Sequence, residues 1–300
     1  MFFVSSWLSF RISFSLNQTK ASMGNIVWLA SYPKSGNTWL RAFLANLIAN
    51  RPVPVPLADL PRYADQDARP ELFAAAAGTP VTGLEFAQLC ALRPEVHARI
   101  AASAPKTVFV KTHSAAGVHD GVPLHNPQVS AGAIYVVRNP LDVAISMSHH
   151  FGIGLDAAIE YLGNDDAATE NNDLFVSEFL GSWSTHARSW ADMEGPRILV
   201  LRYEDLLEKP AKGFGKVARL VGLDADRARV ERAIRNASFQ NLAGMERRDG
   251  FVEVPIKGKH FFRAGRANQW RDVLSRDQVK RIIDRHREQM ARFKYIPAGY

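Results

Sequence analysis

Residues 26–48, IVWLASYPKSGNTWLRAFLANLI, decide how this chain folds. The first six, Ile26–Ser31, form a short apolar run typical of a buried parallel strand. From Trp39 onward, apolar residues recur at a helical spacing. The turn between them, residues 33–38, aims backbone N–H groups at the start of the helix, where the helix dipole and the Lys34 ammonium favour an anion. The stretch therefore predicts a strand, an anion-binding turn and a helix.

The lysine position distinguishes this turn from the best-known phosphate loop. That loop carries its lysine directly after the last glycine, whereas Lys34 here precedes Gly36. The turn is therefore of a phosphate-binding type without being that particular loop.

Composition narrows the class of protein. The chain has 300 residues, 47% of them hydrophobic, which is enough for one large α/β domain or two small ones. Its net charge of +7 favours an anionic partner, but there is no basic run with interleaved aromatic residues, so we predict a small polyanionic ligand and no nucleic acid. Cys90 is the single cysteine, which fits a reducing, cytoplasmic location, and no Cys/His spacing predicts a metal site.

The N-terminal segment differs from the rest of the chain. Residues 1–16, MFFVSSWLSFRISFSL, are aromatic-rich but too short and polar to span a bilayer, which needs roughly 20 apolar residues. We therefore expect no stable membrane insertion. Residues 1–23 are expected to be a leader, disordered or non-native, and residues 24–300 a single domain.

Three further apolar runs predict more strands, at residues 107–110, 133–137 and 198–201. Helical patterns separate them, including one over residues 174–193, so the chain predicts an α/β fold with a central parallel sheet and helices around it. Ligands of such sheets bind outside the carboxyl ends of the strands. Every predicted strand ends in residues suited to binding an anion or moving a proton: Lys34 after the first, Lys111 and His113 after the second, Arg138 and then Ser146 after the third, and Tyr203 after the fourth.

Together these motifs resemble the sulfotransferases that use 3′-phosphoadenosine 5′-phosphosulfate (PAPS). Residues 32–39, YPKSGNTW, resemble the family's loop for the 5′-phosphosulfate, and residues 111–113, KTH, resemble its catalytic lysine-threonine-histidine. Residues 138–146 resemble its 3′-phosphate segment, residues 202–205 its adenine-side strand end, and residues 262–265 its C-terminal 3′-phosphate loop. The resemblance extends from about residue 26 to residue 270.

The resemblance implies a fold, a reaction and a role for each residue. The fold is a three-layer, P-loop-like α/β domain, and the reaction is in-line transfer of a sulfuryl group from PAPS to a hydroxyl or amine of a small-molecule acceptor, without a metal. His113 is the general base, Lys34 stabilises the leaving oxygen, and Lys111 contacts the transferred group. Ser146 binds the 3′-phosphate and also holds Lys34 away from the bridging oxygen until the acceptor binds.

The donor site implied by the resemblance contains these residues: Lys34, Ser35, Gly36, Asn37, Thr38, Trp39, Arg138, Ser146, Tyr203, Ser238, Phe239, Phe262, Arg263, Ala264 and Gly265. Histidines 149, 150 and 186 are assigned structural rather than catalytic roles.

Some positions depart from the family pattern. Ala264 stands where a lysine is usual, Ala237 where a threonine is common, and Asn268 where a glycine precedes Trp270. Ala264 removes a contact to the phosphate, and Ala237 removes a hydroxyl from the nucleotide site. With Asn268 in place of glycine, the sequence does not determine the shape of the loop before Trp270. No dimerisation motif follows Trp270, so no oligomeric state is predicted.

Two other readings remain open at this point. One is an ATP-dependent small-molecule kinase of the related P-loop fold, and the other is a nucleotide-binding module without catalysis. The acceptor is expected to contact the loops at residues 51–80, 114–132 and 151–172, whose composition matches no particular substrate.

Overall fold

The computed structural model describes residues 25–193, 197–223, 225–253 and 260–300. The leader predicted at residues 1–23 lies outside the described residues. Within them, the strands are β1 (Ile26–Ser31), β2 (Asp65–Gln66), β3 (Val108–Thr112), β4 (Val118–His119), β5 (Val122–Pro123), β6 (Ser130–Val137) and β7 (Ile198–Arg202).

The helices lie between these strands and after the last of them. They are α1 (Asn37–Ala49), α2 (Pro70–Ala77), α3 (Phe86–Ala102), α4 (Pro140–Phe151), α5 (Leu155–Gly163), α6 (Trp183–Ala191), α7 (Tyr203–Glu208), α8 (Pro210–Leu220), α9 (Arg227–Asn236), α10 (Phe239–Asp249), α11 (Trp270–Val273) and α12 (Arg276–Arg292). Two short 3₁₀ segments, Leu57–Arg62 and Val81–Gly83, flank β2 and α2.

Five parallel strands form the main sheet, in the order β2-β3-β1-β6-β7. The four strands predicted from apolar runs are all present, and the two-residue edge strand β2 was not predicted. Because β1 lies between β3 and β6, the turn that follows β1 is flanked by the ends of both neighbours.

Both faces of the sheet are buried. On β6, Tyr135 and Val137 belong to one apolar cluster, which also contains residues of α4, α6 and α12. The alternate residues Ile134 and Val136 belong to a second cluster, with residues of α1, α8 and α9. Side chains alternate across a strand, so helices cover the two faces of one sheet. The α/β fold with a central parallel sheet is therefore confirmed.

The helix predicted over residues 174–193 is wrong in its first half, since α6 begins only at Trp183. Gly181 has a φ of 63°, a left-handed conformation that ends regular structure before the helix. Ser182 then caps α6, because its side chain accepts a hydrogen bond from the backbone N–H of Thr185. Upstream of α6, Val176 and Leu180 reach the core from a segment without helix, whereas Leu174 and Phe175 are exposed.

Candidate active site

The turn after β1 forms an anion cradle, here defined as residues 33–38. Lys34 and Gly36 have φ values of 66° and 109°, so the backbone turns sharply before α1. A Cβ on Gly36 would lie 2.8 Å from the ring of Tyr203, which explains why this position is glycine. Gly36 provides no side-chain cap for α1, and the first-turn N–H groups of the helix remain available to a ligand.

Buried polar atoms at the cradle fit an anionic nucleotide. Ser35 Oγ, Trp39 Nε1 and Arg138 Nε are buried without a hydrogen-bond partner among the described residues. Buried donors are normally paired, so these three are available to a bound molecule. Asn37 has a different role, since its amide donates to the carbonyl of Leu29 at 2.7 Å and fixes α1 to β1.

His113, at the end of β3, is oriented by the end of β1. Its Nδ1 lies 2.7 Å from the carbonyl oxygen of Ser31. A carbonyl only accepts, so Nδ1 carries the proton and Nε2 carries the lone pair. Burial, with the nearby Lys111 charge, lowers the pKa of His113 to about 3. The side chain is partly exposed, and at neutral pH it presents an unprotonated nitrogen.

Two buried residues fix the backbone of His113. Its N–H donates to the carboxylate of Glu178, and its carbonyl accepts from Nε2 of His186 at 3.0 Å. Tyr135 donates its hydroxyl to Nδ1 of the same imidazole at 3.0 Å. His186 therefore has the structural role that was predicted. The contribution of Glu178 was missed, because no sequence signal links it to a residue 65 positions away.

The Lys34 ammonium lies beside His150 and Phe261. Nζ is 3.1 Å from Nδ1 of His150 and 3.9 Å from the centroid of the Phe261 ring. Burial lowers the pKa of Lys34 to about 7, with further lowering by Lys111. The resemblance implied Ser146 as the partner of this ammonium, but in the structure the partner is His150, one helical turn later on α4.

Three arginines meet on the other side of the cradle. Arg138 is 7% exposed, and its Nη1 donates to the carbonyl of Lys34 at 3.0 Å. Its guanidinium lies 4.5 Å from the ring centroid of Tyr203. Burial lowers the pKa of Arg263, and the Arg138 and Arg266 charges lower it further. This crowding of like charges marks a place for an anion.

The C-terminal loop, here residues 260–270, is tied to the helices on both sides. The Glu246 carboxylate accepts from the backbone N–H groups of Phe261 and Phe262. The Asp142 carboxylate accepts from the N–H of Asn268 at 2.7 Å and from that of Trp270 at 3.1 Å. Asn268 adopts a φ of 61°, the left-handed conformation that asparagine tolerates better than most residues. The replacement of the usual glycine is therefore accommodated.

The predicted adenine-side residues form two aromatic pairs. Trp39 contacts Tyr203 edge to face at 5.7 Å between ring centroids, and Phe239 contacts Phe262 in the same way at 6.5 Å. Gly265 packs against Phe239 so tightly that a Cβ would lie 2.2 Å from its ring.

The two remaining positions on this side also have structural explanations. Ser238 caps α10 by accepting from the N–H of Asn241. Ala237 is fully buried in an apolar cluster, where a threonine hydroxyl would need a partner.

Glu253 is an acidic residue at the cradle that no sequence motif indicates. Its carboxylate accepts from the Thr38 hydroxyl at 3.1 Å and from the buried Arg41 guanidinium. Burial by itself would raise the pKa of Glu253, but Lys111 and Arg41 outweigh it and hold that pKa well below the usual range. The hydroxyl of Thr38, which is predicted to bind the sulfuryl donor PAPS, therefore already donates a hydrogen bond to the Glu253 carboxylate.

Among the described residues, no group of three or more His, Cys, Asp or Glu side chains is arranged to hold a metal ion. None of the described helices combines the length and apolar character needed to cross a bilayer.

Comparison with known sequences gives one family. The family model described as "Sulfotransferase domain" matches residues 25–294. Flavonol 3-sulfotransferase of Flaveria bidentis is 24% identical over 284 residues, which cover 88% of this chain and 81% of that protein. Sulfotransferase 1A1 of Canis lupus familiaris is 24% identical over 266 residues, covering 85% and 79%.

Comparison with solved structures gives the same fold. Retinol dehydratase, solved in a complex with retinol and PAP, has a TM-score of 0.61 at 19% identity and covers 89% of this chain and 82% of its own. Mouse sulfotransferase SULT7A1, complexed with PAP, has a TM-score of 0.59 at 20% identity, covering 90% and 86%.

Proposed function

The chain belongs to the sulfotransferase family, and from that premise we propose that it transfers a sulfuryl group from PAPS to a hydroxyl or amine of a small-molecule acceptor by in-line displacement. The observation that carries this proposal is a neutral, oriented histidine and a partly buried lysine at the carboxyl ends of neighbouring strands. His113 and Lys34 come from different strands, and the sheet order brings them to the same edge.

His113 is the proposed general base. Its Nε2 lone pair is free because the Ser31 carbonyl holds the Nδ1 proton. As the acceptor oxygen or nitrogen attacks, Nε2 takes its proton, a contribution of typically ~10²–10⁴-fold in rate. The low pKa keeps the ring unprotonated across the neutral range, and Glu178 and His186 keep it in place.

Lys34 and Lys111 are the proposed electrostatic partners of the transfer. Negative charge develops on the bridging oxygen as the nucleotide leaves, and an ammonium at that oxygen stabilises it. Lys34 lies in the cradle and is assigned to this oxygen, while Lys111 lies on the His113 side and is assigned to the transferred group. Sulfuryl transfer resembles phosphoryl transfer, in which positioning and electrostatics supply most of the catalysis.

The nucleotide end of PAPS is assigned to the arginine side. The Arg138 and Arg266 charges disfavour the charge of Arg263, and a 3′-phosphate bound there would offset this repulsion through charge-assisted hydrogen bonds. Ser146 is assigned to the same phosphate. Trp39, Tyr203, Phe239 and Phe262 frame the adenine, with Ser238 beside them. The solved relatives named above were crystallised with PAP, the nucleotide that remains after sulfuryl transfer from PAPS.

Family membership favours sulfuryl transfer over the kinase alternative, and the oriented His113 favours catalysis over a binding module. The acceptor is proposed as a small, partly hydrophobic molecule. Names of relatives include flavonol sulfotransferases, and retinol occupies one solved relative. Location in the cytoplasm remains a prediction.

The proposal is tested by separating catalysis from binding at His113. Purified protein is supplied with radiolabelled PAPS and a panel of phenols, alcohols and amines, and PAP affinity is measured by calorimetry. For His113→Ala we expect transfer to fall at least ~10²-fold with PAP affinity within about threefold of the unchanged protein. Loss of PAP binding in this variant would indicate a structural role for His113 and overturn the assignment.

A further inference from the structure

The Lys34 ammonium is held by groups from two segments that follow the cradle in sequence. Helix α4 contributes His150, whose Nδ1 is 3.1 Å from Nζ. The C-terminal loop contributes Phe261, whose ring centroid is 3.9 Å from Nζ, a cation–π distance. The ring of His150 stands nearly perpendicular to that of Phe261, at 85° and 6.0 Å between centroids. The ammonium therefore has one hydrogen-bond acceptor and one aromatic face on adjoining sides.

The hydrogen bond from Lys34 determines the tautomer of His150. Lys34 only donates when charged, so Nδ1 of His150 accepts, and the imidazole proton is on Nε2. This is the opposite tautomer to that of His113, whose Nδ1 donates to a carbonyl. Burial and the Lys34 charge lower the pKa of His150 to about 4. His113 and His150 are thus both neutral at pH 7. The hydrogen-bond acceptor is Nε2 in His113 and Nδ1 in His150.

The two adjacent histidines of α4, His149 and His150, differ in their surroundings. His149 is exposed on the same helix, whereas His150 is partly buried and also packs edge to face on Phe151, at 4.9 Å between ring centroids. An imidazole held by aromatic packing on two sides has few rotamers left, so its Nδ1 is a fixed acceptor. The ammonium of Lys34 is consequently held at a fixed point although lysine has a long, flexible side chain.

We propose that His150 is a positioning residue for sulfuryl transfer, which acts by holding the Lys34 ammonium through Nδ1. The role rests on the proposed function, because it takes Lys34 as the group that meets the leaving oxygen. Holding a catalytic cation within a narrow range of positions lowers the entropy lost on reaching the transition state. The effect belongs to the transfer step and not to nucleotide affinity.

Other charged groups surround Lys34 without replacing this contact. Lys111 and Arg138 repel the ammonium, and Glu253 and Glu246 attract it. Both carboxylates are engaged elsewhere, Glu253 with Thr38 and Arg41 and Glu246 with the loop N–H groups. His150 is the neutral acceptor in direct hydrogen-bond contact.

The test uses three variants around this contact. His150→Leu removes the acceptor, His150→Asn retains one because Oδ1 of asparagine is as many bonds from the backbone as Nδ1 of histidine, and His149→Leu is the matched control. We expect kcat to fall about tenfold in His150→Leu, to recover to within about threefold in His150→Asn, and to stay unchanged in His149→Leu. PAP affinity is expected to change less than threefold in all of them.

A double-mutant cycle shows whether His150 acts through Lys34. In a Lys34→Met background the further change His150→Leu is expected to lower kcat by less than twofold. A full tenfold loss in that background, or an unchanged kcat in His150→Leu alone, overturns the proposal.

A readout without catalysis separates this proposal from the proposed function. Reductive methylation of Lys34, followed by peptide mass spectrometry, is expected to be severalfold faster in His150→Leu than in the unchanged protein or in His150→Asn. Absence of any transfer from PAPS by the unchanged protein would refute the proposed function. Equal Lys34 methylation in all variants would refute the His150 contact instead.

Discussion

The two sides of the cradle differ in how they are built. The transfer side, Lys34, Lys111 and His113, comes from strand ends and their first residues, and hydrogen bonds from buried groups fix His113. The 3′ side joins Arg138, at the end of β6, to an exposed Arg263 in the C-terminal loop. The sheet thus sets the geometry of the transfer side in advance, whereas the proposed 3′ side adds a loop residue whose charge the neighbouring arginines disfavour. Changes are expected to cost rate on the first side and affinity on the second.

The largest effect is expected from Lys34→Met on the transfer side. Removing a cation that stabilises developing charge costs roughly 10²–10³ in kcat. PAP affinity is expected to fall much less, because Arg138 and Arg263 remain. Steady-state kinetics and calorimetry measure the two quantities, with the exposed Lys216→Met on α8 as the control. A loss of affinity as large as the loss of kcat would erase the contrast between the two sides.

The second prediction concerns the pH dependence of PAP binding. Burial lowers the pKa of Lys34 to about 7 in the free protein, and a bound anion raises it. Above pH 7, binding therefore takes up a proton, and affinity falls as the pH rises until the pKa of the complex is reached, by up to about twentyfold in total, which is a smaller contribution than the one Lys34 makes to kcat. His113 and His150, with pKa values of about 3 and about 4, stay neutral over this range, and Glu253 stays ionised.

Calorimetry in buffers of different ionisation enthalpy measures this proton uptake directly. Lys34→Met is expected to flatten the dependence between pH 7 and pH 9. An unchanged slope in that variant would assign the titration to another group.

A smaller effect is expected from Arg263→Ala on the 3′ side. Hydrogen bonds to charged groups contribute about 1.5–3 kcal/mol when buried, and Arg263 is exposed, so we expect the lower end, a roughly tenfold weaker affinity for PAP. Affinity for adenosine 5′-phosphate, which lacks the 3′-phosphate, is expected to be unchanged. Equal losses for the two nucleotides would remove Arg263 from the phosphate site.

The smallest effect is expected from Ala264→Lys, which restores the residue usual in the family. A solvent-screened lysine near a phosphate contributes about 0.2–1 kcal/mol, so PAP affinity should rise by about 1.4- to fivefold at low salt. The gain should disappear at 1 M salt. A loss of affinity instead would show that the C-terminal loop packs around alanine and has no room for the lysine side chain.

Sequence predicted the parts that are local in the chain. The strand, turn and helix at residues 26–48 are encoded by adjacent residues, and the strand-end position of His113 follows from the parallel sheet. The helix predicted from residue 174 was wrong in its first half because apolar residues at helical spacing also occur in an irregular segment, of which only some side chains, such as Val176 and Leu180, reach the core. Strand β2 was not predicted because a strand of two residues shows no periodic hydrophobic pattern.

The missed site residues share a physical cause. Glu178, Glu253 and His150 reach the site through contacts with residues 65, 215 and 116 positions away. Such partners are set by packing of distant segments, and a lone glutamate or histidine gives no local pattern. His150 was assigned a structural role on these grounds, and only the fold shows that it meets Lys34.

The most direct test of the account compares three donors with one accepted substrate: PAPS, adenosine 5′-phosphosulfate and ATP. The second carries the same sulfuryl group and the same adenine as PAPS but lacks the 3′-phosphate, so it engages the transfer side and the adenine-side residues without the phosphate contacts of the 3′ side. We predict that kcat/KM with adenosine 5′-phosphosulfate is roughly 10²-fold lower than with PAPS, since charge-assisted contacts are lost, and that ATP supports no transfer. Equal use of the two sulfuryl donors, or transfer from ATP alone, would contradict the account.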